Sequence, residues 1–159
     1  MEQYKRKDFA HYFNTTPSDT NETFVIEGIG VEALSFSYNA QVSQFKTILD
    51  DVADSTFENY QIQSSVSNKR IYKGDAIYEF LNEARRNSTA IETQVIEVDM
   101  KSKSTTGSYD GLKYNVLIVL DEFLGENAVI GYNLYVKGSP TKGTITIADK
   151  VPTFTPSAD

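Results

Sequence analysis

The chain has no cysteine and no tryptophan, one histidine, and four prolines in 159 residues. Without cysteine, disulfides and thiolate metal sites are excluded. A lone histidine, His11, removes multi-histidine metal centres and most histidine-based triads. No apolar run approaches the roughly 18–20 residues that span a bilayer, so no membrane insertion is expected. Met1 opens onto Glu-Gln-Tyr-Lys-Arg-Lys, unlike a signal peptide, and a cytoplasm-like compartment is expected. Positive charge is also short: 15 Lys and Arg face 22 Asp and Glu, a net charge of −7. Tight nucleic-acid binders gain affinity by neutralising phosphates, which argues against such a binder but not against a protein that meets DNA without holding it. Three N-x-S/T triplets, at Asn14, Asn21 and Asn87, mean little without a secretion signal.

What is present points to β structure. Hydrophobic residues make up 40%, enough for one globular core, and the ten Tyr and nine Phe suit pleated, half-buried surfaces. The most informative stretch is Ala33 to Ser67, read as a long alternating hairpin. Its first arm puts Leu34, Phe36, Tyr38, Ala40 and Val42 on one face and Ser35, Ser37, Asn39, Gln41 and Ser43 on the other. The return arm sets Tyr60, Ile62 and Val66 against Gln61, Gln63, Ser65 and Ser67. Period two predicts a ribbon with one packed face and one wet face, and the wet face carries small uncharged polar groups. A lone ribbon is marginal in water, so the rest of the domain or another copy must support it. Its tip falls around Leu49–Ser55.

Elsewhere, residues 1–13 hold a basic cluster (Lys5, Arg6, Lys7) read as a solvated arm, followed by Phe9, Tyr12 and Phe13. Asn14 to Glu22 reads as a loop, and Thr23 to Val31 as a strand broken by Gly28 and Gly30. Lys73-Gly74-Asp75 closes the ribbon. A helix is predicted from about Ala76 to Arg86, with Asp75 as N-cap, Ala76, Ile77, Phe80, Leu81 and Ala84 as its apolar stripe, and Asn87-Ser88 as its stop. Strands follow at Gln94–Met100, Leu112–Leu120 (a solid apolar run expected to be central and covered on both faces), Ala128–Lys137 and Thr144–Ala148. The expected fold class is mainly β: a β-sandwich or flattened barrel with one flanking α-helix and a long hairpin. One domain is expected over 1–150, with a loose tail at 151–159.

Chemical motifs are weak. Gly28-Ile29-Gly30-Val31-Glu32-Ala33 matches G-x-G-x-x-A, but period-two residues follow where a helix must receive a pyrophosphate, so a strand with a bend at its glycines is preferred. Asp50, Asp51 and Asp54 lack the alternate ligands, central glycine and closing glutamate of a calcium loop and read as a solvated acidic tip. Glu97 and Asp99 share a strand face and read as wet, not as a glycosidase pair. His11 has no nucleophile signature nearby and reads as structural or superficial. No catalytic residue, metal site or cofactor is expected, and the chain is not expected to be an enzyme.

The order of polar-faced ribbon, short amphipathic helix and further strands resembles the major tail tube proteins of tailed bacteriophages. The likeness is densest in Val66-Ser67-Asn68-Lys69-Arg70-Ile71-Tyr72-Lys73-Gly74-Asp75-Ala76-Ile77-Tyr78-Glu79-Phe80, followed by Glu92-Thr93-Gln94-Val95-Ile96-Glu97-Val98-Asp99. The resemblance implies a structural virion protein forming hexameric rings, each copy's ribbon joining its neighbours' into an inner barrel, with rings stacked into a tube for genome delivery. The wet face of Ser35, Ser37, Asn39, Gln41, Ser43, Gln61, Gln63 and Ser65 would then line the lumen, past which DNA slides without tight binding. The tip Leu49-Asp50-Asp51-Val52-Ala53-Asp54, locally acidic, would reach the next ring, with Lys5-Arg6-Lys7 or Lys101 and Lys103 as receivers. Implied partners are further copies, a tape-measure protein and a tail terminator, in a virion tail assembled in the bacterial cytoplasm. A long flexible tail and the inner tube of a contractile device both remain compatible. The competing classes are a carbohydrate-binding or decoration module using Tyr38, Tyr60 and Tyr114, and a glycoside hydrolase.

Overall fold

In the computed structural model, which describes residues 1–49 and 51–157, a 3-10 turn at Arg6–Asp8 leads into ten strands and one helix. These are β1 (Phe9–Asn14), β2 (Phe24–Glu27), β3 (Ala40–Phe45), β4 (Asp54–Tyr60), β5 (Gln63–Arg70), α1 (Ala76–Asn87), β6 (Ile91–Asp99), β7 (Tyr109–Leu124), β8 (Val129–Val136), β9 (Thr141–Ala148) and β10 (Val151–Pro156). The chain is mainly β, with a curled sheet, one helix and a hairpin, as the period-two runs predict.

β7 organises the sheet because its 16 residues are long enough to serve two neighbours on one edge. Its N-terminal part pairs with β9 (Gly111 opposite Gly143), and its C-terminal part with β8 (Ile118 opposite Leu134). The other edge pairs along β6, from Val98 opposite Gly111 to Ile91 opposite Ile118. The strand order is therefore β10-β9-β7-β6-β1-β2, with β8 and then β5 branching from β7.

Two apolar clusters lie on opposite faces of this sheet. Phe13, Val95, Tyr114, Val116 and Ile118 meet β8 and α1 on one side, where Ile77 and Leu81 supply the helix's buried stripe. Tyr12, Ile96, Val98 and Ile145 form the other, closed by Phe24 and Phe154. Adjacent residues such as Tyr12 and Phe13, or Val95 and Ile96, are thus both buried, since both sheet faces are covered there.

The helix is capped as its sequence predicts. The Asp75 carboxylate accepts from the Ile77 backbone N–H at 3.0 Å, and Ser88 ends the helix in the left-handed region at φ 52°. Ala76, counted in the apolar stripe, is instead exposed at the first turn.

Several sequence expectations need correction. Residues 9–14, read as an aromatic cluster after a solvated arm, form an inner strand between β2 and β6, because alternate side chains feed the two clusters. Residues 151–156 are not a loose tail but strand β10, paired with β9 from Val151–Ala148 to Pro156–Gly143. Proline is tolerated there because β10 ends the sheet, with a free edge that needs no donor. In β7, Leu117 and Val119 are only partly buried, so the apolar run is central in the sheet but fully covered on one face alone. The long hairpin is also shorter than expected. Its first arm leaves extended geometry at Asn39 (φ 42°), and before that only Ser37 bridges to Gln63. Beyond Gln63 the return arm pairs with β8 instead of the first arm, because Ile62 and Val66 are buried against the body.

Candidate functional site

The hairpin β3–β4 stands apart from this body. Among the described residues, it forms its own two-stranded sheet and pairs with no other strand. Ala40 faces Tyr60 and Gln41 faces Asn59, and then the register shifts so that Val42 faces Phe57 instead of Glu58. A strict alternation would have put Phe57 on the polar face. This β-bulge brings it to the apolar one, where its ring lies 4.8 Å from that of Tyr60. Tyr38 meets Tyr60 edge-on at 5.4 Å. The ribbon's apolar face therefore exists, but Tyr38, Val42, Phe57 and Tyr60 remain 47–56% exposed. Toward the body, Leu34 and Phe36 of the first arm pack against it, as Ile62 and Val66 of the return arm do: the Phe36 ring stacks 4.8 Å over Tyr114 and lies 5.8 Å from that of His11. The expectation that Tyr38, Ala40, Val42 and Tyr60 are packed is met only in part in the single chain: Tyr38 and Phe57 lie against Tyr60, and about half of each large side chain stays open to solvent.

The wet face continues onto the body. By register, Ser37, Gln63, Tyr135 and Leu117 form one cross-strand row, and Ser65, Asn133 and Val119 the next. Ser65 and Asn133 hydrogen-bond side chain to side chain. Toward the ribbon, the Asn39 amide donates to Gln61 O at 3.0 Å, and that of Gln41 to Asn39 O at 3.0 Å. Ser43 faces Thr56 across the hairpin. Ser35 is separated from this surface and lines a cavity with Arg6, His11, Glu97 and Phe36. None of the residues named on the wet face is charged. Of the adjoining charges, Lys137 and Glu92 are paired with each other at 2.8 Å, and the exposed Glu58 shares a cavity wall with Gln61, Gln63 and Tyr135.

At the hairpin end, Phe45, Ile48, Leu49 and Val52 are 73% or more exposed, beside Asp51 and Asp54. The tip is as apolar as it is acidic. Ala53 is partly buried, and Asp50 lies outside the described residues. Of the candidate basic receivers, Lys101 already pairs with Glu2 at 2.9 Å and Asp8 at 3.5 Å. Arg6 donates to Val31 O at 3.2 Å.

The other candidate groups resolve as structural contacts. His11 Nε2 lies 3.0 Å from Glu97 Oε2, so Glu97 is a partly buried hydrogen-bond partner and not a wet carboxylate. Gly28-Ile29-Gly30 forms a turn closed by Val31 N–H to Gly28 O, with no helix following. Gly30 (φ 74°) packs so closely that a Cβ would stand 2.6 Å from Arg70 O. Among the described residues, no cluster of three metal-ligating side chains forms, and no helix is long and apolar enough to cross a membrane.

Sequence reasoning missed one polar site. Lys69 is fully buried, with Nζ 2.9 Å from Glu27 Oε1, 2.7 Å from Asp75 Oδ2 and 2.7 Å from Ile29 O. The Tyr132 hydroxyl donates to Glu27 Oε2 at 2.9 Å. A second bulge, between Val66 and Lys69, turns Lys69 inward where alternation would have turned Asn68. Burial pushes Glu27 above the usual carboxylate range, the opposing pull of Lys69 notwithstanding, and pushes the Tyr132 phenol well up.

No protein-family model and no curated protein matches the sequence. The fold, however, is similar to that of a chain in the six-fold-symmetrised cryo-EM structure of the anti-feeding prophage baseplate. The TM-score is 0.51 and the identity 14%, over 89% of this chain and 96% of that one. At this identity the likeness is one of fold.

Proposed function

We propose that the chain is a structural subunit of a phage-tail-like injection device, and within that class a tube protein that self-assembles into stacked, six-membered rings. The observation that carries this reading is the uncovered apolar face of the ribbon, Tyr38, Val42, Phe57 and Tyr60. A two-stranded ribbon with four half-exposed large side chains is only partly covered, and among the described residues both of its backbone edges are open to pairing. A neighbouring copy supplies both needs at once. Under a ring's rotation the neighbour's β3 runs parallel to this chain's β3, hence antiparallel to its β4, so hairpins can join edge to edge and close without a free edge. The similarity of fold to a baseplate chain solved with six-fold symmetry supports the same class.

In this reading the neutral row of Ser37, Gln63, Ser65, Asn133 and Tyr135, with Asn39, Gln41, Ser43 and Gln61 on the hairpin, lines the channel. A wall without Lys or Arg adds no phosphate-binding term, so a polyanion passes with its counterions. The protein is structural and non-catalytic, its partners are further copies and the other components of the tail, and its place is the particle. The tip reaches the next ring through Phe45, Ile48, Leu49 and Val52, with its aspartates at the rim.

The exposed aromatic trio Tyr38, Phe57 and Tyr60 also suits a carbohydrate-binding surface. Its edge-on and tilted rings form no flat stacking platform, which ranks that reading second.

Negative-stain microscopy of the purified protein decides between them. Rings or tubes are expected, together with their loss on Gln41→Pro, which removes a ladder donor within β3, while the helical circular-dichroism signal persists. Featureless monomers at all concentrations, or unaltered rings in the proline variant, overturn the reading.

A further inference from the structure

The root of the ribbon's first arm is tied to β5 at two places. At its head, Ser37 and Gln63 exchange two backbone hydrogen bonds, of 2.8 and 3.0 Å. At its foot, the Gly30 carbonyl accepts from the Arg70 N–H at 3.0 Å, and the Ile29 carbonyl from Lys69 Nζ at 2.7 Å. Between head and foot, among the described residues, no backbone hydrogen bond joins residues 31–36 to residues 64–69. Yet the chain lengths match: seven residue steps separate the anchors on either side, from Gly30 to Ser37 and from Gln63 to Arg70.

β5 has backbone groups to offer this segment. The Val136 N–H donates to Ile62 O at 2.9 Å, and antiparallel alternation from there turns the backbone of Ser64 and Val66 toward β8. The backbone of Gln63 and Ser65 is thereby turned toward the first arm. Gln63 finds Ser37, but Ser65 faces an open edge, and Ser35 is the residue opposite it in the register that Ser37 and Gln63 set. Ser35 instead borders a cavity of about 370 Å³ with Arg6, His11 and Glu97. Both serines are exposed, so water serves their backbone groups, and exchanging that water for each other brings little net gain. Leu34 and Phe36 lie on the packed face whether or not Ser35 pairs, since they alternate with it.

We propose that residues 31–36 are a strap with two positions: the bowed one seen in the single chain, and one zipped onto the open edge of β5 through a Ser35–Ser65 rung. The bulge between Val66 and Lys69 ends the ladder there, so the foot at Gly30 stays where it is. Zipping makes the first arm continuous from Ser35 to Phe45 and returns Ser35 to the wet face beside Ser65. In the ring of the proposed function, on which this step alone rests, a neighbour's hairpin pairs along the outer edge of the first arm. Edge pairing needs extended backbone, so the neighbour binds the zipped arm better than the bowed one, which is the differential affinity that a shift in population requires.

The chain has no cysteine, so Ser35→Cys combined with Ser65→Cys introduces two thiols without competitors, both at exposed positions. Across a hydrogen-bonded rung the Cα atoms stand about 5.5 Å apart, within the roughly 4.4–6.8 Å that a disulfide spans. Ser37→Cys combined with Gln63→Cys, on the rung already made, is the control. Cross-linking in glutathione buffer is followed in dilute monomer and at assembling concentration. In the monomer the test pair is expected to close completely but about tenfold or more slower than the control, as a zipped population of about 10% or less requires. In rings the two rates should converge. A test pair that matches the control in the monomer, or never closes there, overturns the two positions. A test pair no faster in rings than in the monomer overturns their coupling to assembly. If the wild type forms no rings at any concentration, the tube reading fails, and the monomer rates alone still decide whether the strap has two positions.

Discussion

In β6 and β7 every second side chain enters one apolar cluster and, near Tyr12 and Ile96, the intervening ones enter the other. In β3 and β4 alternation interrupted by one bulge presents Val42, Phe57 and Tyr60 to solvent. Body and ribbon are written in one pattern, yet only the body closes on itself. The body therefore buries its apolar side chains within one chain, whereas about half of each large apolar side chain on the ribbon stays exposed.

The sharpest way to break that contrast is to truncate one apolar side chain in each region. Leu81→Ala removes a fully buried contact between α1 and the sheet and is expected to lower stability by about 2–5 kcal/mol. Phe57→Ala, made on a half-exposed side chain, is expected to change the stability of the isolated monomer by about 0.5 kcal/mol or less. Urea denaturation of dilute, monomeric protein measures both. Comparable losses would mean that the ribbon is already held by its own chain. At assembling concentrations the order should reverse for ring formation, with Phe57→Ala losing assembly and Leu81→Ala keeping it wherever it stays folded.

The body's closure can be tested where it is tightest. At Gly111 of β7 a Cβ would stand 2.1 Å from Ile145 Cδ1 and 2.2 Å from Glu97 O. Gly111→Ala must push β9 or β6 aside and is expected to cost about 1–3 kcal/mol. Gly125→Ala meets only the Phe123 ring at 3.5 Å and serves as the control. Equal thermal midpoints for the two variants would show that the sheet gives way at Gly111 without strain.

Much of the body was legible because its signals are local. The α1 cap at Asp75, its stop at Ser88 and the apolar run of β7 each depend on residues within one element. What escaped were places where register changes. The bulge opposite Gln41 and Val42 brings Phe57 to the apolar face, and the bulge after Val66 brings Lys69 into the core. Period-two reading carries a side chain to the wrong face as soon as one residue is inserted, and no composition signal marks the insertion. The residues that strict alternation would misplace, Phe57 and Lys69, are thus the ones that distinguish the ribbon and the Lys69 cluster from ordinary sheet. The pairings of Glu27 with Lys69 and of His11 with Glu97 escaped for another reason: the partners lie far along the chain, 42 residues apart for Glu27–Lys69 and 86 for His11–Glu97. The strand β10 was obscured by Pro152 and Pro156, which an edge accepts.

The tip sharpens the contrast at smaller scale, since it offers charge and apolar surface together. Replacing Asp50, Asp51 and Asp54 by Lys changes rim-like pairs individually worth about 0–1 kcal/mol. Replacing Ile48, Leu49 and Val52 by Asp removes side chains that would each contribute about 1.5–3 kcal/mol on full burial in a neighbouring ring. Tube length by electron microscopy should therefore fall further in the apolar triple variant, and the lysine variant should be rescued by salt. If the lysine variant alone loses stacking, charge and not burial joins the rings.

The smallest expected effect lies at the body's own edge, in the two-residue turn joining β9 to β10. Asp149 and Lys150 both have positive φ, 49° and 68°, the pair of conformations that a type I′ hairpin requires and that Asn-Gly adopts most readily. For Lys150 the left-handed conformation costs about 1–2 kcal/mol relative to a right-handed one. Lys150→Gly relieves that cost but frees the unfolded chain, which takes back about 0.5–1 kcal/mol. Asp149→Asn adds a residue that tolerates the same conformation. The double variant is thus expected to gain less than about 1 kcal/mol, seen as a rise of a few degrees in thermal midpoint. Since the turn closes the body and not the ribbon, ring and tube formation should be unchanged. A gain in stability accompanied by loss of tubes would place the β9–β10 edge at a contact between copies, and the division between a self-sufficient body and a partner-dependent ribbon would have to be redrawn.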